Sequence, residues 1–391
     1  MRRHVVVIGA GAAGTMVAHR LRRRLDPAAW ALTVIDRDDQ HAYRPGFPLV
    51  AFGTWPPSGV VRSRHAFLPD GVDLVLDEAR QVDADASVVL LADGRRIAYD
   101  HLVIASGAVP RPDLVPGLTG PHWHRTVFDV SSLEGASALR EALPTLHQGR
   151  LVVHLAELPV TAPSTALELT LLADAWLRRR GLRDGVELVH ASPLAEPAAG
   201  SDGLLGRHGV VVEAGFRVER LDGDRQVLVG PEGREVPFDL LVSVPPHRGA
   251  GVVTRSGLGD ELGYVPVDRH TLQSRTFANV YAVGDATDLP TARTTRTAWL
   301  TARVVGRTLP DHATGRAPSA SLDRPSRSLP LGPTDDGVTA ALDRLAGAGG
   351  GTPGRTAARW LYWHVALQGR PLPLPVHAAA VPTGLRRHAP V

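Results

Sequence analysis

The sequence predicts an α/β protein built from two domains with parallel β-sheets, followed by a C-terminal extension. Near the N-terminus a β-branched run at His4–Ile8 precedes a glycine-rich turn, a helical pattern to about Arg24 and a second strand at Trp30–Ile35. A similar strand–helix–strand pattern begins at Leu151–Leu155 and reaches a strand at Val186–His190. At 391 residues the chain exceeds one ordinary hydrophobic core, so two such units are expected.

Short apolar runs and helical patterns indicate further elements along the chain. The additional strands predicted are Leu74–Leu76, Val88–Leu91, His101–Ile104, Leu240–Val244 and Asn279–Val283, and the additional helices run over Ser132–Leu143, from Ser164 or Thr165 to about Arg180, and to about Leu309. Residues 41–68 predict irregular structure, Pro245–Pro246 a hinge, and Pro310 a change to Pro-, Ser- and Gly-rich composition. We therefore expect a discontinuous first domain (1–112 and 246–312), a second domain (113–245) and a C-terminal extension (313–391).

Composition narrows the range of functions. Hydrophobic residues make up 43% of the chain, the formal charge is +3, and none of the 43 basic residues is lysine. We attribute the arginine bias to a GC-rich genome rather than to nucleic-acid binding, because no basic run with interleaved aromatics is present. The absence of cysteine excludes disulfides, thiolate metal sites and a reactive cysteine, and it fits a reducing cytoplasm. Neither a signal peptide nor a membrane-spanning stretch is predicted.

The turn after the first strand has the pattern of a nucleotide-binding loop, GAGAAG. In a Rossmann-like, three-layer domain the first glycine makes a tight turn, the second lets backbone N–H groups approach a pyrophosphate, and the third lets the helix pack against the strand. Asp36 ends the second strand, where a carboxylate bonds ribose hydroxyls and repels a 2′-phosphate. The residues predicted to bind a dinucleotide are Gly9, Gly11, Ala12, Ala13, Gly14 and Asp36.

Two later stretches, Tyr99–Pro110 (YDHLVIASGAVP) and Asn279–Pro290 (NVYAVGDATDLP), resemble motifs of the FAD-dependent pyridine nucleotide-disulfide oxidoreductase superfamily. This resemblance implies two Rossmann-like (three-layer) dinucleotide-binding domains plus a C-terminal extension, and non-covalently bound FAD. It implies that Asp285 holds the ribityl and phosphate region of FAD, with Gly284 allowing close approach. Ser106 and Gly107 would lie where the chain crosses near the cofactor, although Ser106 replaces the commoner threonine.

Within this superfamily the chain is similar to sulfide:quinone oxidoreductases and to the flavoprotein of flavocytochrome c sulfide dehydrogenase. The similarity covers nearly the whole chain and is carried by Tyr43–Phe47 (YRPGF), Asp239–Asp268 and Arg359–Arg370 (RWLYWHVALQGR). It implies that Arg44 and Pro45 lie beside the flavin, that a small molecule donates electrons and that quinone is the leading acceptor.

The second domain lacks the features through which these relatives receive electrons. Ala162 stands where the sulfide-oxidising family has a relay cysteine, and the second relay cysteine is also missing. Where the NADH-using branch has a second GxGxxG, Leu155–Pro159 contains no glycine, and Glu157 is expected to repel a pyrophosphate. We therefore expect neither NAD(P)H binding by the usual loop nor cysteine-relayed sulfide oxidation. Covalent attachment of FAD through cysteine is likewise excluded.

The catalytic candidates are His247 and Arg293. His247 follows the predicted hinge, and the ordinary pKa of histidine suits a general base, while a solvated loop histidine is the alternative. Arg293 and Arg296 begin the helix after the last motif. The resemblance places this segment at the flavin pyrimidine edge, where arginine stabilises negative charge; a solvated helix face is the alternative. His122 and His124 are spaced like same-face strand neighbours, but no third ligand accompanies them, so no metal site is predicted.

The C-terminal extension has no acidic residue after Asp343 and interleaves arginines with Trp360, Tyr362 and Trp363. This composition suits an anionic membrane surface, and packing of the aromatic rings on the first domain is the alternative. Three functions stay open: an FAD oxidoreductase delivering electrons to quinone, a soluble flavoenzyme acting on a small metabolite or NAD(P)H, and a non-catalytic flavin-binding partner or sensor. We expect a cytoplasmic location, peripheral on the inner face of the membrane in the first case, with a homodimer also open.

Overall fold

The computed structural model describes residues 2–157, 165–194, 202–291, 293–322 and 362–368. Its strands are β1 Arg3–Ile8, β2 Trp30–Asp36, β3 Gln40–Ala42, β4 Val61–Ser63, β5 Asp73–Leu76, β6 Ala79–Asp83, β7 Val88–Leu91, β8 Arg96–Ala98, β9 His101–Ile104, β10 Ala108–Pro110, β11 Val127–Asp129, β12 Gly149–Leu155, β13 Val186–Ala191, β14 Val211–Glu213, β15 Arg220–Asp222, β16 Val227–Val229, β17 Glu235–Pro237, β18 Leu240–Val244, β19 His247–Gly249 and β20 Val280–Ala282. Its α-helices are α1 Ala12–Arg22, α2 Phe47–Ala51, α3 Leu133–Ala142, α4 Thr165–Arg179, α5 Asp202–Arg207, α6 Gly251–Arg255 and α7 Thr295–Ala313. Tyr362–Ala366 forms a π-helical turn.

The first parallel sheet has β1 at its centre and the strand order β20-β9-β1-β2-β5. Val5, Val6 and Val7 are completely buried, as expected for a parallel strand covered on both faces. Helices α1 and α7 pack together so closely that a Cβ atom added to Gly306 would lie 2.6 Å from Cβ of Arg20. Because β20 follows the strands of the second sheet in sequence, the first sheet is assembled from two separated parts of the chain.

The second parallel sheet has the strand order β11-β18-β12-β13-β14. Alternate residues of β12 point to opposite faces, and α4 packs on β12 and β13 from one side. On the other face Val152 joins a hydrophobic cluster with Phe216 and Leu228, which includes residues of the antiparallel sheet β15-β16-β17. Helix, parallel sheet and antiparallel sheet thus form three layers, in agreement with the predicted α/β class and Rossmann-like units.

An antiparallel ribbon of β10 and β19 lies where the chain passes between the two sheets. In this ribbon Val109 pairs with Arg248, and Pro110 pairs with His247. β10 begins shortly after β9 of the first sheet, and β19 follows β18 of the second. The ribbon therefore brings His247 and Arg248 back to the carboxyl end of β9.

Two local predictions of secondary structure are wrong. Residues 41–68 are not irregular throughout, because β3 pairs with β4 and α2 lies between them. All five residues of α2 are buried, so packing stabilises a helix that begins with Pro48 in its first turn. Helix α7 does not end near Leu309 but continues through Pro310 to Ala313. Pro310 removes a single N–H donor, and its buried neighbours keep the helix packed.

His122 and His124 do not share a strand face, which corrects the expectation from their spacing. They lie in a turn, where His124 adopts a left-handed backbone conformation with φ +59°. Its N–H donates to the carbonyl of Val127 at 2.7 Å, so the chain reverses here. The two imidazoles contact different carboxylates, His122 with Asp224 at 3.3 Å and His124 with Asp129 at 3.2 Å. Among the described residues no group of three or more metal-ligating side chains comes together.

Candidate functional site

The glycine loop Gly9–Gly14 follows β1, and its glycines have different surroundings. A Cβ atom on Gly9, where φ is +102°, would lie 2.5 Å from the carbonyl oxygen of Ala105. On Gly14 it would lie 1.8 Å from the carbonyl oxygen of Gly9, whereas on Gly11 it would meet no heavy atom within 4 Å among the residues that the structure describes. The first and third glycines thus permit close packing within the protein, and the second faces open space.

The N-terminus of α1 points its backbone donors at this open space. Gly11 is the N-cap residue, and no side chain caps it. Within the described chain, the N–H groups of Gly11, Ala12 and Ala13 have no hydrogen-bond acceptor. Unpaired N–H groups and the positive end of the helix dipole together favour an anion such as a pyrophosphate.

Asp36 ends β2 next to this loop, as the sequence predicts. Its Oδ2 accepts a hydrogen bond from the Ala10 N–H at 2.6 Å and lies 3.1 Å from Nη1 of Arg64. Arg64 also donates to the Ala10 carbonyl at 2.9 Å, a contact that sequence reasoning missed. Because Arg64 offsets the charge of Asp36, this carboxylate would repel a phosphate less than an unpaired carboxylate would.

The three predicted cofactor-binding segments converge at the carboxyl end of the first sheet. Gly9 lies against Ala105 and Ser106, and a Cβ atom on Gly284 would lie 2.9 Å from Cβ of Ala13. The hydroxyl of Ser106 is buried and has no hydrogen-bond partner among the described residues. Gly107 has φ +70° and open space where a Cβ atom would point. An orphaned hydroxyl beside an open cradle indicates that a ligand completes the site.

Asp285 and Arg293 lie together at one end of this cradle. Burial raises the pKa of the Asp285 carboxyl, and the nearby Arg293 and Arg44 guanidinium groups oppose that rise. Arg293 is only 7% exposed, donates to the backbone carbonyl of Asp285 at 2.5 Å, and stacks 3.8 Å from the ring centre of Tyr264. Arg293 therefore lies in the interior just before α7, and not on a solvated helix face. Arg296 belongs to the first turn of α7.

His247 also reaches this site, but its pKa is not suited to the predicted role. Its Nδ1 donates to the carbonyl of Pro245 at 2.9 Å, which leaves Nε2 with a lone pair. Burial lowers the pKa of His247 to about 4, with further lowering by Arg44, Arg293 and Arg248. The expected near-neutral pKa is wrong, and the ring is a neutral hydrogen-bond acceptor at pH 7.

Arg44 and Pro45 form a short 3-10 turn with Gly46 between β3 and α2. Nη1 of Arg44 donates to the carbonyl of Ala108 at 3.4 Å, which ties this turn to the ribbon of β10 and β19. The Arg44 charge acts on both His247 and Asp285. The structure thus brings Arg44, Asp285, His247 and Arg293 into one cationic site next to the glycine loop.

Glu157 follows β12 in the second domain and is not an isolated negative charge. Its carboxylate forms an ion pair with Nη1 of Arg248, which also donates to the carbonyl of His247. The side chains are 37% and 22% exposed, respectively. This pairing, which sequence reasoning missed, corrects the expectation of simple repulsion because the carboxylate already has a cation. Ala162 and the rest of residues 158–164 lie outside the described residues.

Tyr362 and Trp363 of the C-terminal extension pack on the first domain, and Trp360 lies outside the described residues. They are 6% and 1% exposed. The sequence left two alternatives for these rings, contact with a membrane surface and packing on the first domain, and the structure shows packing. No helix within the described ranges has both the length and the apolar character needed to cross a bilayer.

Comparison with known proteins agrees with this geometry. The family model of the pyridine nucleotide-disulphide oxidoreductases matches residues 3–305. The mitochondrial sulfide:quinone oxidoreductase of Mus musculus is 26% identical over 317 residues, which cover 78% of this chain and 70% of that protein. An NADH dehydrogenase-like protein of Mycobacterium tuberculosis is 28% identical over 342 residues, covering 73% of this chain and 81% of that protein.

Among solved structures, the X-ray structure of the sulfide:quinone oxidoreductase from Aquifex aeolicus superposes with a TM-score of 0.69 at 23% identity. The match covers 80% of this chain and 77% of that one, and it concerns the fold. The predicted fold class, superfamily and FAD cofactor are confirmed. The chain belongs to the pyridine nucleotide-disulphide oxidoreductase family and is an FAD-dependent oxidoreductase.

Proposed function

We propose that this protein takes electrons from a small-molecule donor through FAD and delivers them to a quinone or a similar acceptor, without a cysteine relay. The proposal rests on a contrast between the carboxyl ends of β1 and β12, which are equivalent strands of the two domains. After β1, Gly11 faces open space, and the N–H groups of the first helical turn have no acceptor in the part of the chain that the structure describes. After β12, Glu157 is paired with Arg248. One nucleotide, and not two, is therefore expected to bind.

The residues of the first site fit FAD. Asp36 and Arg64 would hold the adenosine end, and the N–H groups after Gly11 would hold the pyrophosphate. Asp285 would hold the ribityl region, and the orphaned hydroxyl of Ser106 would gain a partner. Bound FAD supplies the electron-transfer chemistry, and the protein supplies binding, orientation and electrostatics.

The side chains around the cradle favour negative charge. Arg293 is fixed by the carbonyl of Asp285 and by the ring of Tyr264, so its charge is already oriented. Because Nδ1 of His247 donates to the carbonyl of Pro245 and burial lowers the pKa of the ring, its Nε2 carries no proton at pH 7 and can accept a hydrogen bond. Fixed cations in a buried site stabilise developing negative charge more strongly than mobile ones do, because they need not reorient.

The donor side differs from both kinds of relative. A chain without cysteine cannot form a persulfide relay, so a donor has to reach FAD directly. The relative named as NADH dehydrogenase-like supports a second candidate, in which NADH is the donor. The Glu157–Arg248 pair weighs against it, since the phosphates of NADH would have to compete with a carboxylate for Arg248.

Relatives named for quinone support quinone as the acceptor. A basic surface at the end of α1 and on α7 supports contact with an anionic membrane. This surface consists of Arg20, Arg23, Arg24, Arg303 and Arg307, with Trp299 between Arg20 and Arg303 at 5.2 and 5.7 Å. Burial and the charges of the other four arginines lower the pKa of Arg20 to about 10. An anionic surface would relieve this repulsion.

The first experiment records the visible spectrum of the purified protein under anaerobic conditions while sulfide, NADH and NADPH are added in turn. We expect NADH and NADPH to leave the flavin band unchanged, and rapid bleaching by NADH would overturn the account of the second domain. Bleaching by sulfide would establish direct reduction without a cysteine relay. Anaerobic recovery of the band on adding decylubiquinone to photoreduced protein would support quinone as the acceptor, and no recovery would oppose it.

Membrane contact is tested separately by co-sedimentation with phosphatidylglycerol vesicles and with phosphatidylcholine vesicles. Binding only to the anionic vesicles is expected, with a decrease in the Arg303→Gln/Arg307→Gln double variant. As a control, Arg111→Gln/Arg225→Gln removes two exposed arginines elsewhere. Equal loss of binding in both double variants would mean that total charge, and not this surface, decides the interaction.

A further inference from the structure

The C-terminal residues 362–368, here called the C-terminal clasp, lie on the part of the first domain that surrounds the glycine loop. The ring of Trp363 stacks on Phe67 with ring centres 4.9 Å apart, and the ring of Tyr362 lies 4.7 Å from that of Tyr43. The guanidinium of Arg62 lies over the ring of Trp363, 4.9 Å from its centre. The clasp is therefore packed between side chains of the segment that contains β3 and β4.

A buried hydrogen-bond chain links the clasp to the glycine loop. The hydroxyl of Tyr362 lies 2.7 Å from Nε2 of His41, and Nδ1 of His41 lies 3.1 Å from the carbonyl oxygen of Ala10. A carbonyl only accepts, so Nδ1 carries the proton, and Nε2 of the neutral ring accepts from Tyr362. Burial lowers the pKa of His41 to about 3, in keeping with the neutral form. The imidazole of His41 thereby links Tyr362 to the backbone of Ala10.

Both backbone polar groups of Ala10 are held by hydrogen bonds within the protein. Its N–H donates to Asp36 at 2.6 Å. Its carbonyl accepts from His41, from Nη1 of Arg64 at 2.9 Å and from Oγ1 of Thr15 at 3.1 Å. With the Ala10 carbonyl fixed in the protein, the N–H groups that follow it keep the direction in which the cradle needs them.

We infer that His41 and Tyr362 are positioning residues through which the C-terminal clasp holds the glycine loop in the conformation that binds FAD. The inference rests on FAD as the cofactor and is independent of the proposed donor and acceptor. It assigns to the clasp a function in cofactor retention. Neither residue needs to touch FAD, because both act through the carbonyl of Ala10.

Ordinary packing would give the clasp a role in stability alone, and a matched pair of variants separates the two roles. Tyr362→Phe removes the hydroxyl and keeps the ring. Tyr281→Phe is the control, because the buried Tyr281 hydroxyl also bonds a histidine, His312 Nδ1, at 2.8 Å. The bond between Tyr281 and His312 does not involve Ala10. Both variants therefore lose one hydrogen bond between tyrosine and histidine, but only Tyr362→Phe loses the connection to the glycine loop.

The measurements are the FAD dissociation constant, from fluorescence titration of the apoprotein, and the melting temperature of the apoprotein. We expect Tyr362→Phe to raise the dissociation constant about tenfold, the effect of one buried hydrogen bond, and Tyr281→Phe to leave it unchanged. Both variants should lower the apoprotein melting temperature to a similar extent. A dissociation constant that rises equally in both variants, or in neither, would overturn the inference.

A double-mutant cycle gives a second measurement on the full chain. If His41 transmits the effect, His41→Gln should weaken FAD binding, and adding Tyr362→Phe to it should weaken binding no further. Additive effects of the two substitutions would contradict the linkage. Failure of wild-type protein to respond to quinone would leave these results intact, whereas failure of wild-type protein to bind FAD at all would refute the cofactor assignment itself.

Discussion

The unequal surroundings of the glycines in the loop give a sharp test of the FAD cradle. Gly11→Ala adds a methyl group where no heavy atom of the described residues lies within 4 Å. Gly14→Ala adds the same group 1.8 Å from the carbonyl oxygen of Gly9. The first change is expected to weaken FAD binding in a stable protein, and the second to destabilise the protein itself.

The expected magnitudes follow from this geometry. Gly11 has φ −72° and ψ −167°, which alanine adopts without strain. Alanine is a poorer N-cap residue than glycine, which lowers the free energy of unfolding, but it also reduces the conformational freedom of the unfolded chain, which raises it. Because the two effects nearly cancel, the free energy of unfolding should change by less than about 0.5 kcal/mol. The methyl group would displace a phosphate from about two charge-assisted hydrogen bonds, worth about 3–6 kcal/mol, which weakens FAD binding roughly 10²–10⁴-fold. Gly14→Ala should cost about 1–3 kcal/mol of stability or more.

Urea denaturation of the apoprotein gives the free energy of unfolding, and fluorescence titration gives the FAD dissociation constant. The reasoning would be refuted if Gly11→Ala bound FAD as the wild type does, since the open space would then not be the phosphate position. It would also be refuted if Gly14→Ala were as stable as the wild type. Gly94→Ala serves as a control away from the site, because its Cβ atom also meets nothing within 4 Å; its φ of +90° should lower stability alone.

Three further predictions concern charge. In FAD-loaded protein, Glu157→Gln leaves Arg248 without its carboxylate, so calorimetry should show ADP binding about fivefold more tightly, as for a partly exposed ion pair of ~1 kcal/mol; unchanged affinity would contradict the pairing. Burial lowers the pKa of His154 to about 3, so below pH 6.5 the unfolded chain binds a proton that the folded chain does not. Stability should therefore fall by about 2 kcal/mol between pH 6.5 and 5 from this group, and urea denaturation of His154→Leu should show a shallower pH dependence. Arg307→Gln should raise stability by up to about 0.5 kcal/mol at low salt by relieving Arg20, with the gain lost at 1 M salt, and a decrease would oppose the like-charge account.

Features that depend on neighbouring residues in sequence were predictable. The bounds predicted for β7, β9 and β18 agree with the structure residue for residue, because each is a short apolar run ended by turn residues. The glycine loop and Asp36 were also recognisable, since the spacing itself carries the chemistry. Residues 41–68 were not, because β3 and β4 pair across about twenty residues and α2 is stabilised by burial.

Contacts between distant residues were not predictable from pattern. Arg64 reaches both Asp36 and the Ala10 carbonyl, and nothing near Arg64 in sequence marks it as part of a nucleotide site. His247 was found from its position after a proline pair, but its low pKa follows from burial, from Arg44 and Arg293, which lie far away in sequence, and from the adjacent Arg248. A pKa depends on the folded surroundings, so the sequence could suggest the residue but not its protonation state.

The two domains place opposite charges at equivalent strand ends, and this contrast explains how a nucleotide-binding fold persists without its phosphate loop. After β1, unpaired helix N–H groups require an anion, which none of the described residues provides. After β12, the protein provides its own anion, Glu157, and its own cation, Arg248, carried there by the ribbon of β10 and β19. A carboxylate paired with a guanidinium resembles a contact between phosphate and guanidinium in charge and hydrogen bonding. The ion pair therefore also joins the second domain to the ribbon that carries His247.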